Sequence, residues 1–337
     1  MTTNKVRFGI AGFGLHAVKR LTPAFAIAEH SVVTALSRRD PVNARASAEQ
    51  FGIPNAFTTT EDLARCPDVD AVFVASPDAL HLGDVVSALQ AGKPVLCEKP
   101  MAMNAGEVEQ MIAAAKASGL LLGVAQIFRF EESTRRLRER IAVGNIGHPV
   151  LARAEFCYPG HESARTWITD PKLATGGPIA DVGVHCIDAL RFILNDEVSA
   201  VSCSAVKDER SGEVDAAGTI TLEFAHQTLA TVSVSARSQY RTLLEFTGER
   251  GVLTASDGLN VERPVSIEFR PTGDPRDVEK EEVSNRLAYA RQVDDFALAV
   301  RGVAPFAVPA EEGLRNQQVL DAAYRSWRTG QRQLLIP

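Results

Sequence analysis

Cysteine is scarce and unpatterned in this 337-residue chain: five residues, at positions 66, 97, 157, 186 and 203, odd in number and without a CxxC pair. That excludes a disulfide framework and a thiolate zinc site. No other His, Cys and carboxylate set has metal spacing, so no metal is expected. Long apolar runs are missing too, and no stretch approaches the roughly 18 residues of a membrane span. There is no excess of basic charge. The formal net charge of −6 leaves neither nucleic acid nor an anionic membrane surface as an expected partner. Internal repeats and low-complexity tracts are also lacking. The opening Met1-Thr2-Thr3-Asn4-Lys5 leads into an apolar strand without the h-region of a secretory signal, so a reduced, cytoplasmic setting is expected.

What is present has ordinary globular composition, 45% hydrophobic and 23% charged, at a length that suits two domains. The division is expected near residue 125, with a dinucleotide-binding domain over 1–125 and a substrate-binding and oligomerisation domain over 126–337. In the first part, Val6–Ile10, Val32–Leu36, Asp70–Ala75, Pro94–Leu96 and Leu120–Val124 read as buried strands. Helical stretches alternate with them: His16 to Ala28 with a possible bend at Pro23, Ala44 to Phe51 closed by Gly52, Leu80 to Gln90, and Ala105 to Ser118. Continuous apolar strands alternating with helices predict a doubly wound parallel sheet. From about residue 150 the pattern becomes two-residue alternation, as in Gly218–Phe224 and Ala230–Ser235. That predicts antiparallel strands in an α+β domain, with helices over about 182–194, 287–301 and 311–328. Gly273 to Glu282, rich in charge, reads as a mobile loop. Thr219, Thr221 and Glu223 share one strand face, and Thr231, Ser233 and Ser235 another. Such faces suit either solvent or a second copy of the chain, and a homodimer or homotetramer is expected.

Four features carry chemistry. Gly12-Phe13-Gly14-Leu15-His16-Ala17 follows the first strand and opens a helix, where backbone N–H groups and the helix dipole attract a pyrophosphate. Gly12 permits the turn, Gly14 allows close approach of the backbone, and Ala17 completes a GxGxxA pattern. Such a string in isolation is often a mere loop; its place at the head of a βαβ series favours the functional reading. After the second strand the chain reads Ser37-Arg38-Arg39-Asp40, where NAD binders usually carry an acid for the ribose 2′-OH. A hydroxyl followed by guanidiniums suits a 2′-phosphate and favours NADP over NAD. The alternative is a solvated Arg pair with Asp40 as the acid. Cys97-Glu98-Lys99-Pro100 ends a parallel strand, which places Lys99 at the ligand edge of the sheet rather than among ordinary surface charges. Asp181 and His185 are four apart and share a face if helical. They form either an acid–base pair or a structural pair within a helix. Gly176-Gly177-Pro178 precedes them.

With these residues the chain resembles the Gfo/Idh/MocA family, named after glucose–fructose oxidoreductase and inositol dehydrogenase. The matching elements are the strand–GxGxxA opening, Ser76-Pro77-Asp78 with His81, Cys97-Glu98-Lys99-Pro100, and Gly176-Gly177 followed by Asp181, Gly183, His185 and Asp188. The similarity spans about residues 5 to 330. It implies an N-terminal Rossmann domain and a C-terminal domain with a large, mostly antiparallel open sheet used for subunit contacts. It also implies Lys99, Asp181 and His185 as the catalytic set. The expected cofactor contacts are Gly12, Phe13, Gly14, Leu15, His16, Ser37, Arg38, Ser76, Pro77, His81, Glu98, Lys99 and Gln126. Gln126 stands where many relatives carry Asn. Arg165 and Trp167, in a polar and aromatic loop with His161, are candidates for touching substrate, although such a Trp is more often a core plug. The expected activity is hydride transfer between NADP (or NAD) and a sugar, polyol or related alcohol or carbonyl. His185 would handle the proton, Asp181 would orient it, and Lys99 would stabilise charge on the oxygen. Two other readings remain: a glycosidase using a retained dinucleotide, and a non-catalytic dinucleotide-binding regulator. Retention of all three catalytic residues argues against the regulator.

Overall fold

Runs such as Ala71–Val74 are buried at every position, as a parallel strand covered by helices on both faces must be. The computed structural model describes residues 5–160, 165–209, 213–273 and 276–335. Its chain separates into two units, one of Met1–Gln126, Lys172–Thr175 and Tyr289–Gln317, the other of Ile127–Pro171, Gly176–Ala288 and Gln318–Pro337.

The first unit is built on six strands: β1 (Val6–Ala11), β2 (Ser31–Ser37), β3 (Asn55–Phe57), β4 (Ala71–Val74), β5 (Val95–Cys97) and β6 (Leu122–Val124). They pair in the order β3-β2-β1-β4-β5-β6, and every pairing is parallel. The order reverses between β1 and β4, the switch point at which such sheets bind nucleotides beyond their C-terminal strand ends. The helices are α1 (Thr22–Ile27), α2 (Pro41–Phe51), α3 (Thr60–Arg65), α4 (His81–Gln90) and α5 (Ala105–Ser118). Local chemistry sets their limits. Asp40 caps α2 through Asn43 N at 2.7 Å, Asn104 caps α5 through Glu107 N at 3.0 Å, and Gly52 and Gly119 close them at φ 65° and 67°. The first helical stretch is not one α-helix. A π-helical turn, Ala17–Leu21, leads into α1. Pro23 follows closely on that turn, inside a helical run that is continuous from residue 15 to 27, where its missing N–H interrupts the ladder of hydrogen bonds. The helix Ala288–Val300 also belongs to this unit. Its Phe296 ring lies 6.1 Å from Phe8, and its Asp294 accepts from Glu29 N, His30 N and Ser31 Oγ.

The second unit carries nine strands: β7 (Pro149–Pro159), β8 (Val198–Lys207), β9 (Asp215–Phe224), β10 (Leu229–Ser235), β11 (Arg237–Gly248), β12 (Gly251–Ser256), β13 (Val265–Pro271), β14 (Glu279–Val283) and β15 (Gln333–Leu334). Their order is β14-β13-β12-β11-β7-β10-β9-β8-β15. All neighbours run antiparallel except β7 and β10. Helices α6 (Glu132–Ala142) and α7 (Val184–Leu194) belong to this unit, and α7 packs on β7. Burial alternates along the sheet as the two-residue pattern predicts. Ile220, Leu222, Val232 and Val234 are buried, whereas Thr219, Thr221 and Thr231 are exposed. One expectation is corrected. Part of the charged stretch before Val283 is not loop: Glu279–Val283 pairs with β13 as an edge strand. An edge strand makes one ladder only and tolerates charge on both faces. Here Lys280 pairs with Glu268 at 2.6 Å, and Arg140 reaches Glu279 and Glu281.

Candidate active site

The expected residues fall on both units. On the first, Gly12, Ser76, Lys99 and Gln126 follow β1, β4, β5 and β6 closely, and Ser37 and Arg38 stand at the end of β2. Because these strands are parallel, all lie at one edge of one sheet. Gly12 has φ +79°, and a Cβ there would sit 2.5 Å from Ser76 N. Only glycine lets the β1 turn approach the β4 turn so closely. Gly14 has open space around it, its nearest neighbour being Gly12 O at 3.9 Å, which leaves room for a ligand to meet the backbone. Phe13 does not offer its N–H to a ligand, since that group donates to Ser37 O at 2.9 Å. Its ring is buried against Phe51. Leu15 and His16 continue the turn into the helix.

Several side chains of this edge hold one another. His16 Nε2 lies 2.8 Å from Glu98 Oε1, and the other oxygen of Glu98 accepts from Lys99 N at 3.1 Å. Burial would raise the Glu98 carboxyl, but His16 and Lys99 hold it below the ordinary carboxylate range. Lys99 itself is half-buried. Ser76 Oγ donates to Asp84 at 2.6 Å, with Pro77 beside it leading into the turn before α4. Arg38 is half-buried and donates to Ser47 Oγ at 2.8 Å, while Asp40 is engaged as the α2 cap. Gln126 is 1% exposed, and its Oε1 has no partner among the described residues. A nicotinamide dinucleotide fits this set. There is a glycine cradle for the pyrophosphate, a guanidinium at the end of β2, and an unsatisfied buried acceptor past β6 for a carboxamide N–H.

On the second unit the Gly176-Gly177-Pro178 segment is locked in place. A Cβ on Gly176 would fall 1.8 Å from Tyr324 Oη, and one on Gly177 would fall 1.8 Å from Asp215 O. Asp215, on β9, accepts from Gly177 N at 2.8 Å, Ile179 N at 2.7 Å and Tyr324 Oη at 2.8 Å. Burial holds its carboxyl above the ordinary range against those three donors. The chain then makes a π-helical turn, Ile179–Gly183, before α7. Asp181 therefore lies in the π-turn and His185 in α7, rather than both on one α-helix. Arg165 donates a fork to the Asp181 carboxylate at 2.9 and 2.7 Å, and Tyr158 Oη donates at 2.8 Å. Burial, reinforced by Asp181, pushes the Tyr158 hydroxyl far above its ordinary range, so it remains a neutral donor. His185 is buried against aromatics, with its ring edge-on to Phe128 at 4.5 Å and stacked toward Phe156 at 6.3 Å. Asp188 is held by an Arg129 fork, closest at 2.7 Å. Trp167 is half-exposed in a short 3-10 turn, Thr166–Thr169; His161 lies outside the described residues.

Sequence reading missed Tyr158, Asp215, Tyr324, Phe128 and Phe156 as site-forming residues. Asp215 did leave a signal, as a carboxylate at the head of an otherwise apolar–hydroxyl strand. The aromatics looked like any core residue.

Two family models match successive stretches of the chain. Residues 6–126 match the oxidoreductase family model with an NAD-binding Rossmann fold, and residues 134–254 match the GFO/IDH/MocA C-terminal domain. The chain is 31% identical over 325 residues to the D-xylose 1-dehydrogenase (NADP(+)) 2 of Haloferax volcanii, covering 96% of this chain and 98% of that one. The aldose-aldose oxidoreductase of Caulobacter crescentus, solved with glycerol, superposes with a TM-score of 0.90 at 26% identity, over 98% of this chain and 100% of that one. A 3-ketoreductase from Actinomadura kijaniata, solved with NADP and TDP-benzene, gives a TM-score of 0.87 at 25% identity, over 96% and 98%. With both family models matched in tandem and a relative aligned along nearly its whole length, this chain belongs to the Gfo/Idh/MocA oxidoreductases.

Proposed function

We propose that the chain transfers hydride between NADP and an alcohol or carbonyl carbon of a sugar or polyol, with Lys99, Asp181 and His185 as its catalytic residues. Bound NADP supplies the hydride donor or acceptor; Gly12, Gly14, Leu15, His16, Ser76, Pro77 and Gln126 would hold it, with Arg38 at its 2′-phosphate. The observation that carries the NADP reading is the end of β2. Arg38 is anchored on Ser47, and the nearest acid, Asp40, is engaged as a helix cap. The names of relatives support the substrate class, since one is a xylose dehydrogenase using NADP(+) and another an aldose oxidoreductase.

The residues divide the remaining work. His185 takes the hydroxyl proton in the oxidative direction and returns it in the reductive one. Its packing against Phe128 and Phe156 fixes the plane of the ring. Asp181 supplies negative charge near the site, and the fork from Arg165 fixes its orientation. Lys99 stabilises negative charge developing on the substrate oxygen. The neutral Tyr158 adds a further fixed donor to Asp181. Trp167, half-exposed, is assigned to the substrate side.

The test follows nucleotide absorbance at the reduced-nicotinamide wavelength across aldoses, polyols and aldehydes. Sustained turnover with a sugar or polyol is expected. Lys99→Ala and His185→Ala should each lower kcat by a factor on the order of 10² or more. Tight nucleotide binding without net turnover on any of these substrates overturns the reading.

A further inference from the structure

His81 is the first residue of α4 and is 1% exposed. Its Nε2 lies 2.8 Å from Ser76 O and its Nδ1 lies 3.1 Å from Pro100 O. Both partners are carbonyl oxygens, which only accept. A neutral imidazole carries one N–H and one lone pair, so it satisfies one carbonyl and turns a lone pair on the other. At these distances that second contact sets lone pair against lone pair and is repulsive. An imidazolium satisfies both.

We infer that His81 is held as a permanent imidazolium that ties the Ser76 turn to the Lys99-Pro100 turn, and that it is a positioning residue for Lys99. The proposal rests on the hydride-transfer reading for its second half only. The ionisable groups facing the ring are Asp78, on the turn that leads into α4, and Cys97, at the end of β5. Asp78 is itself fixed by Thr175 N at 3.0 Å, and Lys99 acts on it electrostatically. Burial opposes a charge on the ring, yet Cys97, Asp78 and the Ser76 carbonyl favour it, and the imidazole is pushed up to about 10. His81 therefore acts through two backbone carbonyls, one on each of the loops that follow β4 and β5. Those loops carry Ser76 and Lys99.

The charge is read directly by nitrogen-detected NMR of the full-length protein labelled with 15N-histidine, assigned by loss of signal in His81→Gln. Two protonated ring nitrogens, unchanged from about pH 6 to pH 8.5, are expected; this window lies below the ring's raised value and spans the ordinary His range. One protonated and one lone-pair nitrogen at neutral pH overturns the charge assignment. The positioning role is read in kinetics. His81→Gln should lower kcat on the order of 10-fold or more while KM for the nucleotide changes far less, because a misplacement of about 1 Å in the reacting geometry is enough for such a loss. Unchanged kcat in His81→Gln beside a collapsed kcat in Lys99→Ala overturns positioning and leaves hydride transfer standing. Unchanged kcat in both variants overturns the hydride-transfer roles and positioning together, and the ring pattern still decides the charge.

Discussion

At the scale of single residues, the polar groups along the ligand edge of the first unit mostly hold one another. Arg38 illustrates this, its guanidinium steadied by Ser47 and carrying more donors than that one contact uses. Replacing it with an acid removes a charge-assisted contact worth about 1.5–3 kcal/mol and adds an acceptor suited to a ribose hydroxyl. The parent should bind NADP(H) more tightly than NAD(H), and Arg38→Asp should lose tenfold or more of the NADP affinity and reverse much of the preference. Calorimetric titration checks this; equal affinities in the parent would remove the argument. His81 leads to a pH prediction whose sign is fixed. Its folded value, up to about 10, lies above the unfolded one near about 6.5, so the bound proton stabilises the folded state. That stabilisation is fully present below about pH 6.5 and is lost as pH rises toward 10. Urea unfolding of the parent and of His81→Gln should differ most at the acid end of this window, with the gap closing at the alkaline end. A constant gap would show that the ring does not titrate as stated.

At the scale of elements, the site depends on turns as much as on helices and strands. Gly177 passes so close to β9 that a methyl group has no room, and the same β9 residue, Asp215, takes its N–H. Gly177→Ala should therefore destabilise the chain by roughly 1–3 kcal/mol, the usual range for overpacking, and should depress kcat because Asp181 and His185 follow on the same run. A denaturation midpoint equal to that of the parent would mean the segment moves aside at no cost. This is also the scale at which sequence legibility divides. Five of the six strands of the parallel sheet were readable because runs such as Ala71–Val74 and Val95–Cys97 are apolar at every position, and the Gly12 turn was readable from its place after one of them; β3, only three residues long and half-buried, was not. The π-turn Ile179–Gly183 was not, since an extra residue per turn leaves no mark in a four-residue spacing. Nor was β14, whose charges are compatible with strand and loop alike. Two partners of Asp181, Arg165 and Tyr158, lie 16 and 23 positions away, and the carbonyls at His81 are backbone atoms. No side-chain pattern encodes either.

At the scale of the whole molecule, the open face of the nine-stranded sheet bears on assembly. Thr231 stands opposite Thr221, and Ser233 opposite Thr219, so hydroxyls form a cross-strand patch on a face where Ile220, Leu222, Val232 and Val234 all turn the other way into the core. Beside the patch, Leu229 pairs with Leu151 in the β7–β10 ladder, and both are exposed, at 48% and 52%. Partly apolar, and with its charges paired as Arg153 and Arg241 on Glu155 and Arg332 on Glu223, such a surface suits a second copy of the same sheet related by two-fold symmetry. We propose a homodimer or homotetramer assembled through this face. Light scattering coupled to size exclusion at micromolar concentration should give a mass two or four times that of the 36.3 kDa chain. Replacing both Thr221 and Thr231 with Arg sets four guanidiniums against each other across a two-fold contact, without touching the buried side of either strand. That double variant should elute as a folded single chain that still unfolds cooperatively, at a midpoint lowered only by the loss of association. A parent protein that already runs at 36.3 kDa across the working range would leave the face simply solvated and would rule out the assembly.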